Sequence, residues 1–210
     1  MRVVILANEQ QKEEILSGGI NDDCKIDWIS AAEEFSAFPD ANAFFDLLFE
    51  DNGYDVSYLK DLLPKPVLIH SMNKTIEEIA YPFIRLIAWP GFLKRPIAEV
   101  ICNNDDKKNE AAVILNLLNR KPEWVPDIKG FISPRVISMI INEAYFALEE
   151  NVSTKDEIDI AMKLGTNYPY GPFEWAKKIG LKNIVSLLTE LSLSEKRYQP
   201  AGLLLKEAIG

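Results

Sequence analysis

Residues 165–175, reading Gly165-Thr166-Asn167-Tyr168-Pro169-Tyr170-Gly171-Pro172-Phe173-Glu174-Trp175, constrain the backbone more tightly than any other stretch of this chain. Gly165 follows a helical run and can take positive φ just past a helix end. Pro169 confines Tyr168 to extended conformations. Gly171-Pro172 makes a turn, and Pro172 is pre-set for the first position of a new helix. The large apolar Phe173 and Trp175 flank an acid in that helix's first turn. By residue chemistry alone this is a well-capped helix–loop–helix corner.

The sequence around it reads as helical throughout. Ser133 is placed as an N-cap before Pro134. Val136, Ile137, Ile140, Ile141, Ala144, Ala147 and Leu148 recur at a spacing of three to four. Thr154 and Glu157 have the spacing of a capping box. Residues 181–191 and 201–209 are two further amphipathic helices. The first half has a different character. Apolar runs at 2–7, 25–30, 43–49, 67–70, 84–89 and 98–101 read as short strands, several of them buried on both faces. Helices are expected over 11–16, 56–63, 75–80 and 109–118. Strands alternating with helices mean a mainly parallel α/β sheet. Residues 121–127, with Pro122 and Pro126, form a connector strand and a boundary, giving domains over 1–126 and 127–210.

A formal charge of −9 argues against a nucleic-acid backbone or an anionic membrane surface as partner. Cys24 and Cys102 suit reduced thiols better than a disulfide framework. A lone histidine and two distant cysteines make no zinc pattern, so no metal is expected. Met1-Arg2 runs directly into an apolar strand, without a charged leader or a membrane-length apolar run, which reads as a soluble cytoplasmic protein.

Four motifs in the second half carry a family resemblance. Lys129-Gly130-Phe131-Ile132-Ser133-Pro134-Arg135 resembles the "PGFIxNR" signature of 3-hydroxyacyl-CoA dehydrogenases. Asp156-Glu157-Ile158-Asp159-Ile160-Ala161-Met162-Lys163-Leu164-Gly165 resembles their "EDIDxAMxxG" helix. Tyr168-Pro169-Tyr170-Gly171-Pro172-Phe173-Glu174 is similar to "YPMGPFEL", and Arg197-Tyr198-Gln199-Pro200 through Leu204-Leu205 to the closing "RYxPxxLL". Weaker echoes run through the first half. Residues 43–50 are similar to the "ADLVIEAVxE" strand, 66–80 to "xILASNTSSLSITEIA", and 96–101 to "MxLVEVI". The resemblance implies a shortened Rossmann-like domain followed by an all-α C-terminal domain that forms a two-fold dimer. It also implies NAD as the family's cofactor and a place in fatty-acid and acyl-CoA metabolism.

The residues that would perform the chemistry depart from that pattern. Dinucleotide binding needs glycines after the first strand, so that the backbone approaches the pyrophosphate at a helix N-terminus. Here that turn reads Ala7-Asn8-Glu9-Gln10-Gln11, with no glycine. The second strand ends Ile29-Ser30-Ala31 instead of in an acid for the ribose. Tight NAD binding is therefore not expected. The family's catalytic histidine, in "GLHFFNP", falls on Ile87, which has no proton to exchange. Its orienting glutamate survives as Glu99. The asparagine of "FIxNR" is Pro134, and the serine of "NTSSL" falls near Ser71 and Asn73. His70 sits at the carboxyl end of a strand, where open α/β sheets place their sites.

Two readings follow. One is a degenerate, homodimeric homologue, paired through its C-terminal helices, that binds an acyl-CoA-like ligand or assists an active enzyme. The other is an active oxidoreductase with a rearranged site using His70 and Glu99, with Ser71 or Asn73 offering a hydrogen bond. The dimer rests on the apolar content of the second half. Val136, Ile141, Phe173, Leu187, Leu188 and Leu204 are expected to exceed what one thin core can hold.

Overall fold

The computed structural model describes residues 1–209 and divides into two compact units, Met1–Phe131 and Ile132–Gly210. The first is α/β. Its strands are β1 (Arg2–Leu6), β2 (Lys25–Ile29), β3 (Ala43–Asp46), β4 (Val67–His70), β5 (Ile84–Leu86), β6 (Ile97–Ile101) and β7 (Lys121–Trp124). Its helices are α1 (Glu9–Ser17), α2 (Ile76–Ile79) and α3 (Asp105–Leu117). The strands form one sheet in the order β2-β1-β3-β4-β5-β6-β7, parallel except where β6 runs against β5. Strands β1, β3 and β4 read as continuous apolar runs because both faces are covered. Val3, Ile5, Phe45 and Leu68 face one core with α1 and α3, while Val4, Leu6, Phe44 and Ile69 face another closed by Phe35 and Phe49.

Several local expectations needed correction. Residues 56–63 are not an α-helix. They make turns and a single 3-10 turn at Lys60–Leu62, begun by the Asp55 carboxylate accepting the Ser57 N–H at 2.8 Å. The strand expected to run to 49 stops at Asp46, whose carboxylate accepts the Leu48 N–H at 3.0 Å and turns the chain. That expected over 84–89 stops at Leu86. Residues 121–124 are more than a connector: they are edge strand β7, where Pro122 is tolerated. Cys24 is only partly buried, and both cysteines are free.

The second unit is all α-helical: α4 (Ser133–Glu149), α5 (Lys155–Thr166), α6 (Pro172–Ile179), α7 (Leu181–Ser192) and α8 (Gly202–Ile209). Ser133 is not a cap but the first residue of α4, with Pro134 in its first turn. Gly165 does not end α5 in the left-handed region. The helix runs on to Thr166, and Asn167 takes that conformation at φ 56°.

The motifs of this unit resolve into clamps. Asp159, on α5, caps the start of α6 by accepting the Phe173 N–H at 2.8 Å and the Glu174 N–H at 3.1 Å. A Cβ on Gly171 would lie 2.3 Å from the Asp159 carboxyl carbon, so glycine is required there. Glu174 accepts the Gly171 N–H at 3.0 Å and an ammonium hydrogen of Lys163 at 2.5 Å. Asn142, buried on α4, accepts from Ala201 N–H at 2.8 Å and donates to the Gln199 carbonyl at 2.9 Å, which fixes the entry into α8. Ile141, Phe173, Leu187, Leu188 and Leu204 are at most 9% exposed, so one unit does hold them in its own core. The apolar side chains left in water are others, among them Ile132, Val136, Ile160 and Leu164, at 50, 53, 52 and 82%, and also Val152, Leu193 and Ile209.

Candidate functional site

Open α/β sheets bind ligands outside the carboxyl ends of their parallel strands, at the point where strand order reverses. In this chain that point lies between β1 and β3. At the exit of β1, Asn8 caps α1. Its side chain accepts the Gln11 N–H at 2.9 Å, and the Gln11 side chain accepts the Asn8 N–H at 3.0 Å. The buried Gln11 amide then donates to the Leu47 carbonyl at 3.0 Å and reaches that of Ala88 at 3.4 Å. One glutamine thus spans the exits of β1, β3 and β5.

The neighbouring exits are closed in the same manner. At β2, one oxygen of Glu34 accepts from Ser30 N–H (3.0 Å), Ser30 Oγ (3.1 Å) and Ala31 N–H (2.9 Å), which holds its carboxyl below the usual range. At β4, Glu50 accepts from the Met72 N–H and the Asn73 side-chain amide. Past β5, Glu14 accepts from Gly91 N–H (2.6 Å) and Leu93 N–H (3.2 Å). Asp46, at the end of β3, is 2% exposed, and burial raises its carboxyl to about 7.

The residues singled out from the sequence fall into two groups. His70, Ser71 and Asn73 are consecutive or nearly so at the exit of β4. His70 is buried, and its Nδ1 accepts the Ala88 N–H at 3.1 Å. The Leu86 carbonyl is also near that nitrogen, at 3.4 Å, but the shorter bond makes Nδ1 the acceptor and assigns the ring proton to Nε2. Burial keeps the imidazole below its ordinary pKa. Ser71 is fully buried and its hydroxyl donates to the Lys74 carbonyl at 2.9 Å. Its own carbonyl accepts from the buried Arg85 guanidinium at 2.8 and 3.1 Å, and Arg85 pairs with Asp127 at 2.6 Å.

Glu99 stands apart on β6. His70 pairs with Leu86, and Leu86 with Val100. Side chains alternate along a strand, so Glu99 points to the face opposite His70. Glu99 and the buried Ile87, just past the end of β5, line the same cavity of the sheet unit. The histidine-aligned and glutamate-aligned positions are therefore near each other. No three acids, histidines or cysteines are grouped to hold a metal ion among the described residues. Among the same residues, no helix is long and apolar enough to cross a membrane.

Sequence reasoning passed over Gln11, Glu34, Asp46 and Glu50. Asn8 and Gln11 have the three-residue spacing of a capping box, and Asp46 follows an apolar strand. Those signals were present in the sequence. Glu34 has the same local spacing, three residues past Ala31, whereas Glu50 meets Met72 and Asn73 only through folding.

Residues 130–208 match the family model described as 3-hydroxyacyl-CoA dehydrogenase, C-terminal domain. The chain is 31% identical over 175 residues to the 3-hydroxyadipyl-CoA dehydrogenase of Escherichia coli (strain K12), covering 80% of this chain and 36% of that protein. It is 42% identical over 84 residues to the probable 3-hydroxybutyryl-CoA dehydrogenase of Bacillus subtilis (strain 168), covering 39% and 29%. The chain thus spans about a third of the length of the curated relatives it matches. Among solved structures it superposes on M. tuberculosis FadB2 with a TM-score of 0.81 at 12% identity, over 99% of this chain and 93% of that one. On (S)-3-hydroxybutyryl-CoA dehydrogenase PaaH1 from Ralstonia eutropha the TM-score is 0.77 at 20% identity, over 98% and 92%. At such identities these two report the fold.

Proposed function

Because the chain is a relative of the 3-hydroxyacyl-CoA dehydrogenases and carries their C-terminal domain over residues 130–208, we propose that it serves acyl-CoA metabolism as a dehydrogenase-like protein with weak or no NAD-dependent oxidoreduction of its own. It binds an acyl-CoA-like ligand or assists an active enzyme. The observation that carries this reading is the self-closed rim of the sheet. A dinucleotide held in the family's manner needs free N–H groups at the start of α1 and an acid directed at the ribose from the end of β2. Here the Asn8 and Gln11 N–H groups are taken by each other's side chains, and the Ser30 and Ala31 N–H groups by Glu34. The residues present do not fit the cofactor bound in that way. The buried Ile87 beside Glu99 supplies no base for a hydroxyl proton.

NADH fluorescence titration tests the reading. The expected dissociation constant is above millimolar, a free energy weaker than about −4 kcal/mol. Micromolar binding would overturn it, as would acetoacetyl-CoA reduction at ordinary enzyme rates. Loss of such turnover in His70→Ala would then favour the rearranged site with His70 and Glu99, a pairing the strand register does not support.

The same reading includes a cytoplasmic location and a symmetric homodimer through the C-terminal helices. Support for the dimer comes from Ile132 and Val136 at the start of α4 and Ile160 and Leu164 on α5, apolar side chains left exposed. Leu188 is fully buried within its own unit, so a charge there would unfold the protein whether or not it dimerises. Val136→Asp is the discriminating variant. Light scattering should give twice 23.8 kDa for wild type and 23.8 kDa for Val136→Asp, and a wild-type monomer at micromolar concentration would refute the dimer.

A further inference from the structure

Connections between parallel strands ordinarily carry a helix that covers the sheet. In this chain the connections from β2 to β3 and from β3 to β4 carry only 3-10 turns, at Ala32–Ala37 and Lys60–Leu62. The face opposite α1 and α3 is therefore thinly covered, and a cleft of about 590 Å³ opens between the two turns. That volume lies within the range of small-molecule sites, roughly 300–1,000 Å³. Pro39 and Lys65, just before β3 and β4, place the cleft toward the amino ends of these strands, away from the closed rim. Its floor is the buried edge-to-face pair Phe35 and Phe44, and Pro39, Leu62 and Leu63 supply apolar walls.

The charged groups of this cleft favour one sign of ligand. Glu33 enters from one 3-10 turn and Asp61 from the other. Neither acid forms an ion pair among the described residues. The exposed Tyr58 turns its hydroxyl to the Glu33 carboxylate, a hydrogen bond that raises the phenol above its usual pKa and leaves the carboxylate's charge uncompensated. Lys65 is the cation of the lining, and it is held elsewhere. Its ammonium donates to the Pro39 carbonyl at 2.5 Å and lies over the Phe44 ring, 5.8 Å from the centroid. Exposed carboxylates alone attract any cation weakly. An apolar hollow between two of them selects a cation that carries an apolar body.

We propose that this cleft binds a primary amine with an apolar body, its ammonium group between Glu33 and Asp61 and its body against Pro39, Leu62 and Leu63. The site is independent of whether the rim of the sheet takes a dinucleotide. The test is a titration of the isotope-labelled full chain followed by amide chemical shifts. The probe is 2-phenylethylamine hydrochloride. Sodium phenylacetate has a similar body with the opposite charge, and methylamine hydrochloride has the charge without the body. The probe should give saturable shifts at Ser36, Phe44, Tyr58 and Lys65 with a millimolar dissociation constant, and neither comparison should. Glu33→Gln combined with Asp61→Asn, both surface changes, should weaken the probe about tenfold while the rest of the spectrum stays as in wild type. Ser57→Trp, which places an indole in the cleft from its exposed edge, should remove the shifts. The proposal is overturned if 2-phenylethylamine gives no saturable shifts at these amides. It is overturned equally if phenylacetate binds as well, if methylamine reproduces the shifts, or if either variant binds the probe like wild type.

Discussion

The helical unit and the sheet unit apply the same chemistry with opposite consequences. In the helical unit, Asp159 and Asn142 reach from one helix to the exposed N–H or carbonyl groups at the start of another. Those clamps coincide with the motifs through which the family resemblance was read. In the sheet unit, Gln11, Glu34, Glu50 and Glu14 reach to N–H or carbonyl groups at the strand exits. There the same clamps take up the donors an anionic ligand would need. A polar side chain on a backbone end stabilises a fold wherever it lies. Only its position relative to a ligand crevice decides whether a site is preserved or closed.

The largest test of this contrast is the pH dependence set by Asp46. Its folded-state carboxyl is raised from 3.8 to about 7 by burial, so the native state holds a proton that the unfolded chain has lost. The stabilisation is fully present below about pH 4 and is lost as pH rises through 7, by about 4 kcal/mol in all. His70 acts in the opposite sense. Its pKa is lowered from 6.5, so its contribution is present above that value and is lost as pH falls below it. Urea denaturation between pH 4 and 8 should therefore show Asp46→Asn gaining stability relative to wild type as pH rises. A constant difference would show that the carboxyl is not buried as described.

Gly171→Ala comes next. The new Cβ would displace the Asp159 carboxylate and cost about 3 kcal/mol, from overpacking together with a lost helix cap. A loss below about 1 kcal/mol in the urea midpoint analysis would mean that α5 and α6 are not joined through this cap. Asp159→Ala removes the cap without the clash and should cost about 1–2 kcal/mol, leaving the sheet unit's amide spectrum unchanged. The smallest effect belongs to the rim. Asn8→Ala should cost about 1 kcal/mol, and NADH should still bind no better than millimolar, because Gln11 continues to span Leu47 and Ala88. Tight binding in that variant would show that the cap alone had closed the crevice.

The sequence by itself determined the fold class, the positions of most strands and of the amphipathic helices, and the helix–loop–helix corner at 165–175. Apolar periodicity, proline restriction and capping spacings act over a few residues and can be read along the chain. It also determined that glycine is absent after β1 and that isoleucine stands where the family has a histidine. Capping pairs three residues apart, such as Thr154 with Glu157 and Ala31 with Glu34, are legible as spacings. Folding alone decided the distant pairings, such as Glu14 with Gly91, 77 residues away. The placement of His70 and Glu99 on opposite faces was equally invisible, since it depends on the register of β5 between β4 and β6. So was the burial of Leu188 and the exposure of Val136, both apolar residues at helical spacing. Hydrophobicity states that a side chain leaves water when it can, and only the packing of α4 through α8 assigns which ones do.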